Sequence, residues 1–205
     1  MATTQKNRIT LKGSTHIVTE FFEYSLNSIL FQRGLYPPED FRMTKKYGLN
    51  MLMTTDIALQ GYLQRFTSCL SKWLESGAIQ RIVMAITSTE TGHVMERWQF
   101  DIHIVDPTSD SSPQEKPKGE EDVNKEIQAI IRQITASITF LPMLDSDCSF
   151  NLLAYTNKDT EVPMGWVDSD PHLIQKNAEQ VRLRSFSTQV HKVDALVSYR
   201  LDQDY

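Results

Sequence analysis

The stretch RWQFDIHI, residues 97–104, determines the fold class more clearly than any other part of the chain. Large apolar and polar side chains alternate along it, and this period of two predicts a β-strand with one buried and one solvated face. The apolar positions are Trp98, Phe100, Ile102 and Ile104, and the polar positions are Arg97, Gln99, Asp101 and His103. We expect the strand to cover residues 94–105. A β-branched run at residues 79–86 precedes it, and the turn sequence TETG at residues 89–92 joins the two into a hairpin.

Two helices are predicted before this strand pair, in the first 77 residues of the chain. The first starts after Gly13, with Ser14 as the expected N-cap, and its paired apolar residues continue to Gly34. Because this helix is apolar around most of its circumference, it is expected to be buried on several sides. The second opens at residues 54–56 and ends at Gly77. Its apolar stripe consists of Leu59, Tyr62, Leu63, Phe66, Leu70, Trp73 and Leu74.

A third helix is predicted over residues 123–141, before Pro142. Its apolar face consists of Val123, Ile127, Ile130, Ile131, Ile134, Ile138 and Leu141. The opposite side carries Arg132 and Gln133 among alanines, with Phe140 nearby. An aromatic residue turned away from the core is either a contact surface for a partner or covered by another element of the same domain. The pattern leaves both interpretations open.

The remaining segments define the fold class. Residues 106–122 are rich in Ser, Pro, Asp, Glu and Lys, and we expect a mobile loop within one domain. After the third helix, strands are expected at residues 148–156, 181–193 and 195–201. Helices therefore dominate the first two thirds of the chain and strands the last third. This segregation predicts an α+β fold, in which three helices pack on one face of a mainly antiparallel sheet.

Composition and charge argue against several classes of function. The 205 residues carry a net charge of −5, with no basic cluster longer than a pair such as Lys45-Lys46, so nucleic acid is not an expected partner. No apolar stretch reaches the roughly 18 residues of a membrane-spanning helix, and residues 1–12 lack the apolar core of a signal peptide. Membrane association is therefore not expected. Cys69 and Cys148 are expected to be reduced core residues in an intracellular compartment.

No catalytic or metal-binding constellation is evident in the sequence. The five histidines stand at no metal-ligand spacing and are interpreted as surface or structural residues. Cys69 lies beside an apolar stripe, and Cys148 follows aspartates that would raise its pKa, so neither is favoured as a nucleophile. The acidic segments 145–147 and 168–170 lack the glycine and distal glutamate of a calcium loop. We therefore expect a binding module without cofactor or metal, and not an enzyme.

Five strings in the sequence, several of them long, carry a family resemblance. They are FFEYSLNSILFQRGLYP at residues 21–37, KYGL at 46–49, ERWQFD at 96–101, EIQAIIRQITASITFLP at 126–142 and LRSFSTQVHKV at 183–193. With these strings the chain resembles the HORMA domain family, and most closely its spindle assembly checkpoint branch. The resemblance covers nearly the whole chain in order and lapses at residues 106–122 and at both ends. It implies a single HORMA domain over residues 1–205.

This resemblance implies a mechanism of strand addition. A partner peptide would pair with an exposed edge strand at residues 150–156, and the C-terminal region 156–205 would wrap over it as a safety belt. The residues that match the family's peptide-binding edge and belt are Phe150, Leu152, Leu153, Tyr155, Trp166, Tyr199 and Trp73. Trp73 also belongs to the apolar stripe of the second helix, so a role as a core anchor stays at least equally open.

The resemblance also implies two folded states, open and closed, which differ in the positions of the mobile N-terminal segment 1–13 and the C-terminal belt. Leu11 matches the apolar residue of the N-terminal switch. Open and closed copies would form a homodimer through the third helix. The residues that match this interface are Arg132, Gln133 and Phe140, with Arg33 close to it.

The function implied by the resemblance is that of a checkpoint adaptor that inhibits the co-activator of the anaphase-promoting complex and so delays anaphase. The implied partners are a coiled-coil anchor protein at kinetochores, the WD-repeat co-activator and other mitotic checkpoint complex subunits. The implied location is the nucleus and kinetochore, with the nuclear envelope and cytoplasm in addition. A HORMA adaptor of the meiotic axis or of DNA repair by translesion synthesis is the alternative.

Overall fold

A computed structural model of the chain describes residues 9–105 and 118–201. The helices are α1 (Leu11–Gln32), α2 (Ile57–Ser76) and α3 (Glu120–Ala136). The strands are β1 (Phe41–Lys46), β2 (Leu49–Thr54), β3 (Ile79–Ser88), β4 (Val94–Ile104), β5 (Cys148–Thr156), β6 (Ala178–Ser187) and β7 (His191–Arg200). Short 3₁₀ turns occur at Pro38–Asp40 and Ser137–Thr139. Residues 106–117 of the predicted loop 106–122 lie outside the described structure. The last three residues of that predicted loop instead form the first turn of α3.

Five strands form one antiparallel sheet in the order β5-β3-β4-β7-β6. The alternating stretch forms strand β4, as the period of two predicts, and β4 is the central strand of the sheet. The helices pack on one face of the sheet, which confirms the predicted α+β fold. Edge-to-face aromatic contacts fill the interface between α1 and the sheet. The ring centroids of Phe21 and Phe186 are 4.8 Å apart, and those of Phe22 and Phe100 are 5.2 Å apart. The core thus joins α1 to β4 and to the C-terminal strands.

Strands β1 and β2 form a separate hairpin that sequence analysis missed. Lys46 pairs with Leu49, so the turn has two residues, and both Tyr47 and Gly48 have positive φ. This is the geometry of a type I′ turn, in which tyrosine is an unusual first residue. The hairpin is attached to α1, because Lys46 Nζ lies 2.6 Å from Glu20 Oε1.

Two predicted boundaries of helices differ from the structure. The N-cap of α1 is Thr10, whose hydroxyl accepts a hydrogen bond from the Gly13 N–H at 3.1 Å, and not Ser14. The last residues of the predicted N-terminal segment 1–13 are therefore helical, and residues 1–8 lie outside the described structure. The predicted ends of α2 are confirmed, with Asp56 as N-cap and Gly77 in the left-handed conformation.

Two residues predicted on core faces are exposed. Ile138 lies in the 3₁₀ turn after α3, where the tighter winding rotates it away from the helix stripe, and it is 48% exposed. Ile104 is the last residue of β4 and is 61% exposed. The strand periodicity continues to this residue in the sequence, but the core ends before it.

The predicted strand 181–193 spans a turn. In the structure β6 ends at Ser187, the chain reverses over residues 188–190, and β7 starts at His191. Gln189 has a positive φ of 72° without being glycine, asparagine or aspartate. The turn therefore carries no sequence signal, which is why the prediction joined the two strands. We call residues 178–200 the C-terminal hairpin.

A buried polar cluster fastens this hairpin to the helices. His191 Nδ1 lies 2.7 Å from Ser14 Oγ, and Ser14 also contacts the Thr188 hydroxyl. The imidazole donates a hydrogen bond to the backbone carbonyl of Leu74. Burial lowers the pKa of His191, and the Leu74 carbonyl opposes that shift. Of the two roles left open for this histidine, surface or structural, the structure shows the structural one.

This cluster predicts a pH dependence of stability. Because the folded state resists protonation of His191, the unfolded chain binds the proton more readily, and the free energy of unfolding should fall as pH falls below about 6.5. One group contributes at most about 1.4 kcal/mol per pH unit. Urea unfolding at several pH values measures the slope. The variant His191→Asn should lose this component, and equal slopes in both proteins would contradict the assignment.

Candidate peptide-binding groove

Strand β5 lies at one end of the five-stranded sheet. It pairs with β3 along its length, and no described strand pairs with its other side. Residues 157–177 follow it without helix or strand and lead to the C-terminal hairpin at the far end of the sheet. We call residues 157–177 the belt segment. Of the predicted belt 156–205, the described residues 156–201 thus include an irregular crossing segment and a hairpin that belongs to the sheet.

An aromatic cluster holds the belt segment on the helix side of β5. The ring of Trp166 lies 5.0 Å from that of Trp73 and 6.0 Å from that of Phe66, both in α2. Trp73 is itself buried among the core residues. Trp73 therefore serves as a core anchor and also contacts the belt segment. It does not line the groove described below, and its contact with a peptide stays a prediction.

Polar contacts hold the belt segment on the opposite face of the sheet. Arg97 Nε donates to the Pro171 carbonyl at 3.4 Å, and the side chains of Asn151 and His172 meet at 3.3 Å. Arg97 also bonds the Gln99 side chain. The strand pattern predicts a solvated Arg97, but it is 6% exposed, because the belt segment covers it. No local sequence signal marks such a long-range crossing.

A groove of about 1120 Å³ lies between the β5 edge, α2 and residues 164–171 of the belt segment. Of the predicted peptide-binding residues, the groove is lined by Leu152, Leu153, Tyr155 and Trp166. Phe150 lies outside the lining, where its ring packs 5.7 Å from Tyr62.

The groove offers backbone hydrogen bonds and apolar contacts. Burial raises the pKa of the Tyr62 hydroxyl, and a hydrogen bond from the backbone of Leu152 opposes that rise. The Leu152 amide of β5 thus faces Tyr62 of α2, and the unpaired side of β5 borders the groove. On the opposite wall the apolar side chains of Met164 and Val167 are highly exposed. Exposed strand edges and apolar walls are the features that an added peptide strand requires.

Tyr199, predicted at the peptide edge and belt, lies outside the groove. It pairs with Glu96 of β4, its hydroxyl donates to Glu179 at 2.9 Å, and its ring lies 6.1 Å from Phe140. Strands β3 and β4 separate it from β5, so its contacts hold the C-terminal hairpin. The sequence alone could not show whether Tyr199 lies beside β5 or two strands away from it, because that depends on the order of the strands in the sheet.

The predicted dimer residues occupy different environments. Arg132 is exposed on α3. Gln133 is half-buried, and its side-chain oxygen accepts from the Arg184 N–H at 2.6 Å. Phe140 is 40% exposed beside Tyr199, so an element of the same chain covers it in part and leaves the rest open.

Arg33 differs from the other three predicted dimer residues, because its guanidinium is buried and bonded within the chain. It lies 2.5 Å from Glu96 Oε1, with side-chain exposures of 7% and 1% for the two residues, and it donates to the Pro142 carbonyl. Trp98 Nε1 donates to the same carboxylate at 3.1 Å. Burial raises the pKa of Glu96, and Arg33 and Trp98 oppose this shift. Arg33 thus forms a buried ion pair at the end of α1, and its place near the dimer interface stays a prediction.

Two further features are absent from residues 9–105 and 118–201. No group of three or more histidine, cysteine, aspartate or glutamate residues there could hold a metal ion. No described helix is both long and apolar enough to cross a membrane. Burial raises the pKa of Cys148, in the direction predicted, although the neighbouring Asp147 is a minor cause.

Comparison with known proteins identifies the class to which this fold and groove belong. The family model of the HORMA domain matches residues 14–191, and the chain belongs to this family. It is 53% identical over 203 residues to the mitotic spindle assembly checkpoint protein MAD2A of Dictyostelium discoideum, covering 99% of this chain and 98% of that protein. It is 50% identical over 195 residues to MAD2A of Homo sapiens, covering 94% and 93%. These matches support function as a spindle assembly checkpoint component.

Solved structures give the same result. A chain in the crystal structure of a mitotic checkpoint complex superposes with a TM-score of 0.83 at 50% identity, covering 92% of this chain and 99% of that chain. HTP-2 of C. elegans, bound to the HIM-3 closure motif, has a TM-score of 0.79 at 13% identity, covering 94% and 93%, and shares the fold alone. The alternative of a meiotic or DNA-repair adaptor is not favoured, because the high identity lies with the spindle checkpoint proteins.

Proposed function

We propose that this chain is a spindle assembly checkpoint adaptor that traps an extended partner peptide between β5 and the belt segment. The observation that carries the proposal is the position of the β5 edge, which opens into a groove with the belt segment as its opposite wall. A peptide added there would pair through its main chain and place alternate side chains against α2 and the belt segment. The adaptor acts through binding and not through catalysis.

The proposed partners follow from the relatives. One relative is part of a mitotic checkpoint complex, and another HORMA protein is bound to a closure motif. For this chain we propose the coiled-coil kinetochore anchor and the WD-repeat co-activator of the anaphase-promoting complex as peptide donors. Capture of the co-activator would delay anaphase. The corresponding locations are the nucleus, its envelope, the kinetochore and the cytoplasm.

The structure corresponds, in this proposal, to the closed conformer. The C-terminal hairpin lies beside β4 and leaves the β5 edge free. An open conformer would place the C-terminal region elsewhere. Exchange between the two conformers requires that their free energies differ by only a few kcal/mol. Leu11 is the first residue of α1 and 45% exposed, so the proposed N-terminal switch would act where the helix begins.

Peptide capture tests the proposed function directly. Labelled fragments of both candidate partners should bind and then dissociate slowly, because release requires the belt segment to open. The matched control is the same peptide with alternate backbone amides N-methylated, which removes strand pairing but keeps every side chain. Equal retention of both peptides, or no binding by fragments of either partner, would overturn the proposal.

The proposed dimer surface gives a further prediction. Arg132→Ala removes an exposed charge from α3 and touches neither the groove nor the core, so the variant should be monomeric and still bind peptide. Light scattering combined with size exclusion measures the mass. Lys72→Ala, also an exposed cation but on α2 and outside the groove lining, is the matched control and should leave the dimer intact. Dimers that persist in Arg132→Ala at the same concentration would contradict this surface.

A further inference from the structure

Strand β6 forms the other end of the sheet, opposite β5. It pairs with β7, and no described strand lies beyond it. An edge of ten residues would ordinarily be as ready for strand addition as β5. Its pairing with β7 is also interrupted, because the register shifts between Arg182 and Ser185. Such a bulge leaves backbone groups without a partner on the neighbouring strand.

Side chains of α3 bond to this edge. Gln133 Oε1 accepts from the Arg184 N–H at 2.6 Å, and Glu126 Oε2 accepts from the Ser187 N–H at 3.0 Å. The Arg184 amide belongs to the bulge, so Gln133 supplies the acceptor that β7 does not. The other carboxylate oxygen of Glu126 lies 2.8 Å from Lys118 Nζ, and this ion pair fixes the direction of the side chain.

The spacing of the two acceptors matches the spacing of the two donors. Glu126 and Gln133 are two turns apart on one side of α3, about 10 Å along the helix axis. Arg184 and Ser187 are about 10 Å apart along an extended strand. Helix and strand run in opposite directions, so the earlier acceptor meets the later donor. The helix therefore supplies acceptors where a sixth strand would otherwise supply carbonyl groups.

We propose that Glu126 and Gln133 are positioning residues that hold the C-terminal hairpin on the sheet by closing the backbone of β6. This inference rests on the proposed function in one respect: a hairpin held in place keeps the downstream end of the belt segment attached. It also changes the meaning of Gln133. This residue was expected at the dimer interface, whereas its acceptor is used within the chain. Substitution of Gln133 would then alter dimerisation indirectly, through the hairpin.

Amide hydrogen exchange of the full chain without peptide tests the inference. In the double variant Glu126→Ala/Gln133→Ala, amides across the β4–β7 pairing should exchange roughly 10- to 100-fold faster, because the hairpin lifts as one unit. Amides between β3 and β4 should keep their rates. The variant Glu126→Gln/Gln133→Glu retains an acceptor oxygen at each position and should behave like the parent chain. Lys125→Ala, an exposed position on the same helix, serves as the control for α3 itself.

Two outcomes would overturn the inference. One is faster exchange confined to Arg184 and Ser187, which would make the bonds local caps without influence on the hairpin. The other is equal acceleration in β3 and β7, which would indicate general destabilisation. If the double variant does not fold, the single variant Gln133→Leu gives the same comparison with a smaller loss of stability. Because no peptide is present, these results are independent of whether the groove captures one.

Discussion

Replacing Arg33 with alanine is expected to lower the free energy of unfolding by about 3–5 kcal/mol. The substitution leaves Glu96 as an uncompensated carboxylate with only 1% side-chain exposure. Among the described residues, the indole of Trp98 would remain as a side-chain donor to it. A buried charge that has lost its partner costs far more than the intact pair contributes. Urea unfolding monitored by circular dichroism measures the change.

The matched control removes both charges. Arg33→Met/Glu96→Gln replaces the ion pair with neutral side chains of similar size, and it should cost much less than Arg33→Ala. The pH dependence gives a second check. In Arg33→Ala the pKa of Glu96 rises further above its unfolded value, so the folded state binds the proton and the deficit shrinks as pH falls. A loss below about 1 kcal/mol at neutral pH would contradict the buried pair.

Deleting residues 195–205 is expected to abolish slow peptide release. The deletion removes most of β7, including the buried side chains Ala195, Val197 and Tyr199, and it leaves β6 without the partner for residues 178–182. The belt segment would then be attached at one end only. Release should accelerate on the order of a hundredfold or more, which corresponds to about 2.7 kcal/mol. Stopped-flow fluorescence with a labelled peptide measures the rate.

This prediction requires the truncated chain to stay folded. The remaining strands β3, β4 and β5 and the helices should form an open-like domain, which near-ultraviolet circular dichroism can check. The full-length chain with the same peptide is the reference. A truncated but folded chain that releases peptide as slowly as the full-length chain would show that the belt segment does not trap it.

The fold was predictable where one local period decides it. The alternation in β4, the stripe in α2 and the run at 148–156 each specify an element through residues close in sequence. The failures occur where packing overrides or lacks a local signal. Gln189 turns the chain without a turn residue, and the 3₁₀ turn after α3 rotates Ile138 out of the core. No pattern within β1 and β2 indicated their hairpin.

The site was predictable only in part, for a related reason. The edge strand and Trp166 were found through resemblance, and the structure brings Trp166 onto Trp73. Burial of Arg97 depends on a segment more than 70 positions later in the chain. The Arg33–Glu96 pair and the contacts of Gln133 likewise join distant positions. Such contacts depend on the topology of the fold, and local sequence patterns carry no information about it.

A covalent ring around the groove tests the central claim most directly. The side chains of Asn151 on β5 and His172 on the belt segment meet on the outer face of the sheet. Cysteines at both positions, in a chain with Cys69 and Cys148 replaced by serine, can be joined by a short bifunctional thiol reagent. The crosslink closes residues 151–172 into a ring through which a bound peptide would pass.

The measurement is release of a peptide fused to a folded protein at each end, so that neither end can slip through the ring. Crosslinking after binding should prevent release under native conditions and keep the complex together in denaturant while the fused proteins stay folded. Crosslinking before binding should prevent capture. The uncrosslinked double-cysteine chain is the control. Capture and release at unchanged rates after complete crosslinking would contradict a peptide held between β5 and the belt segment.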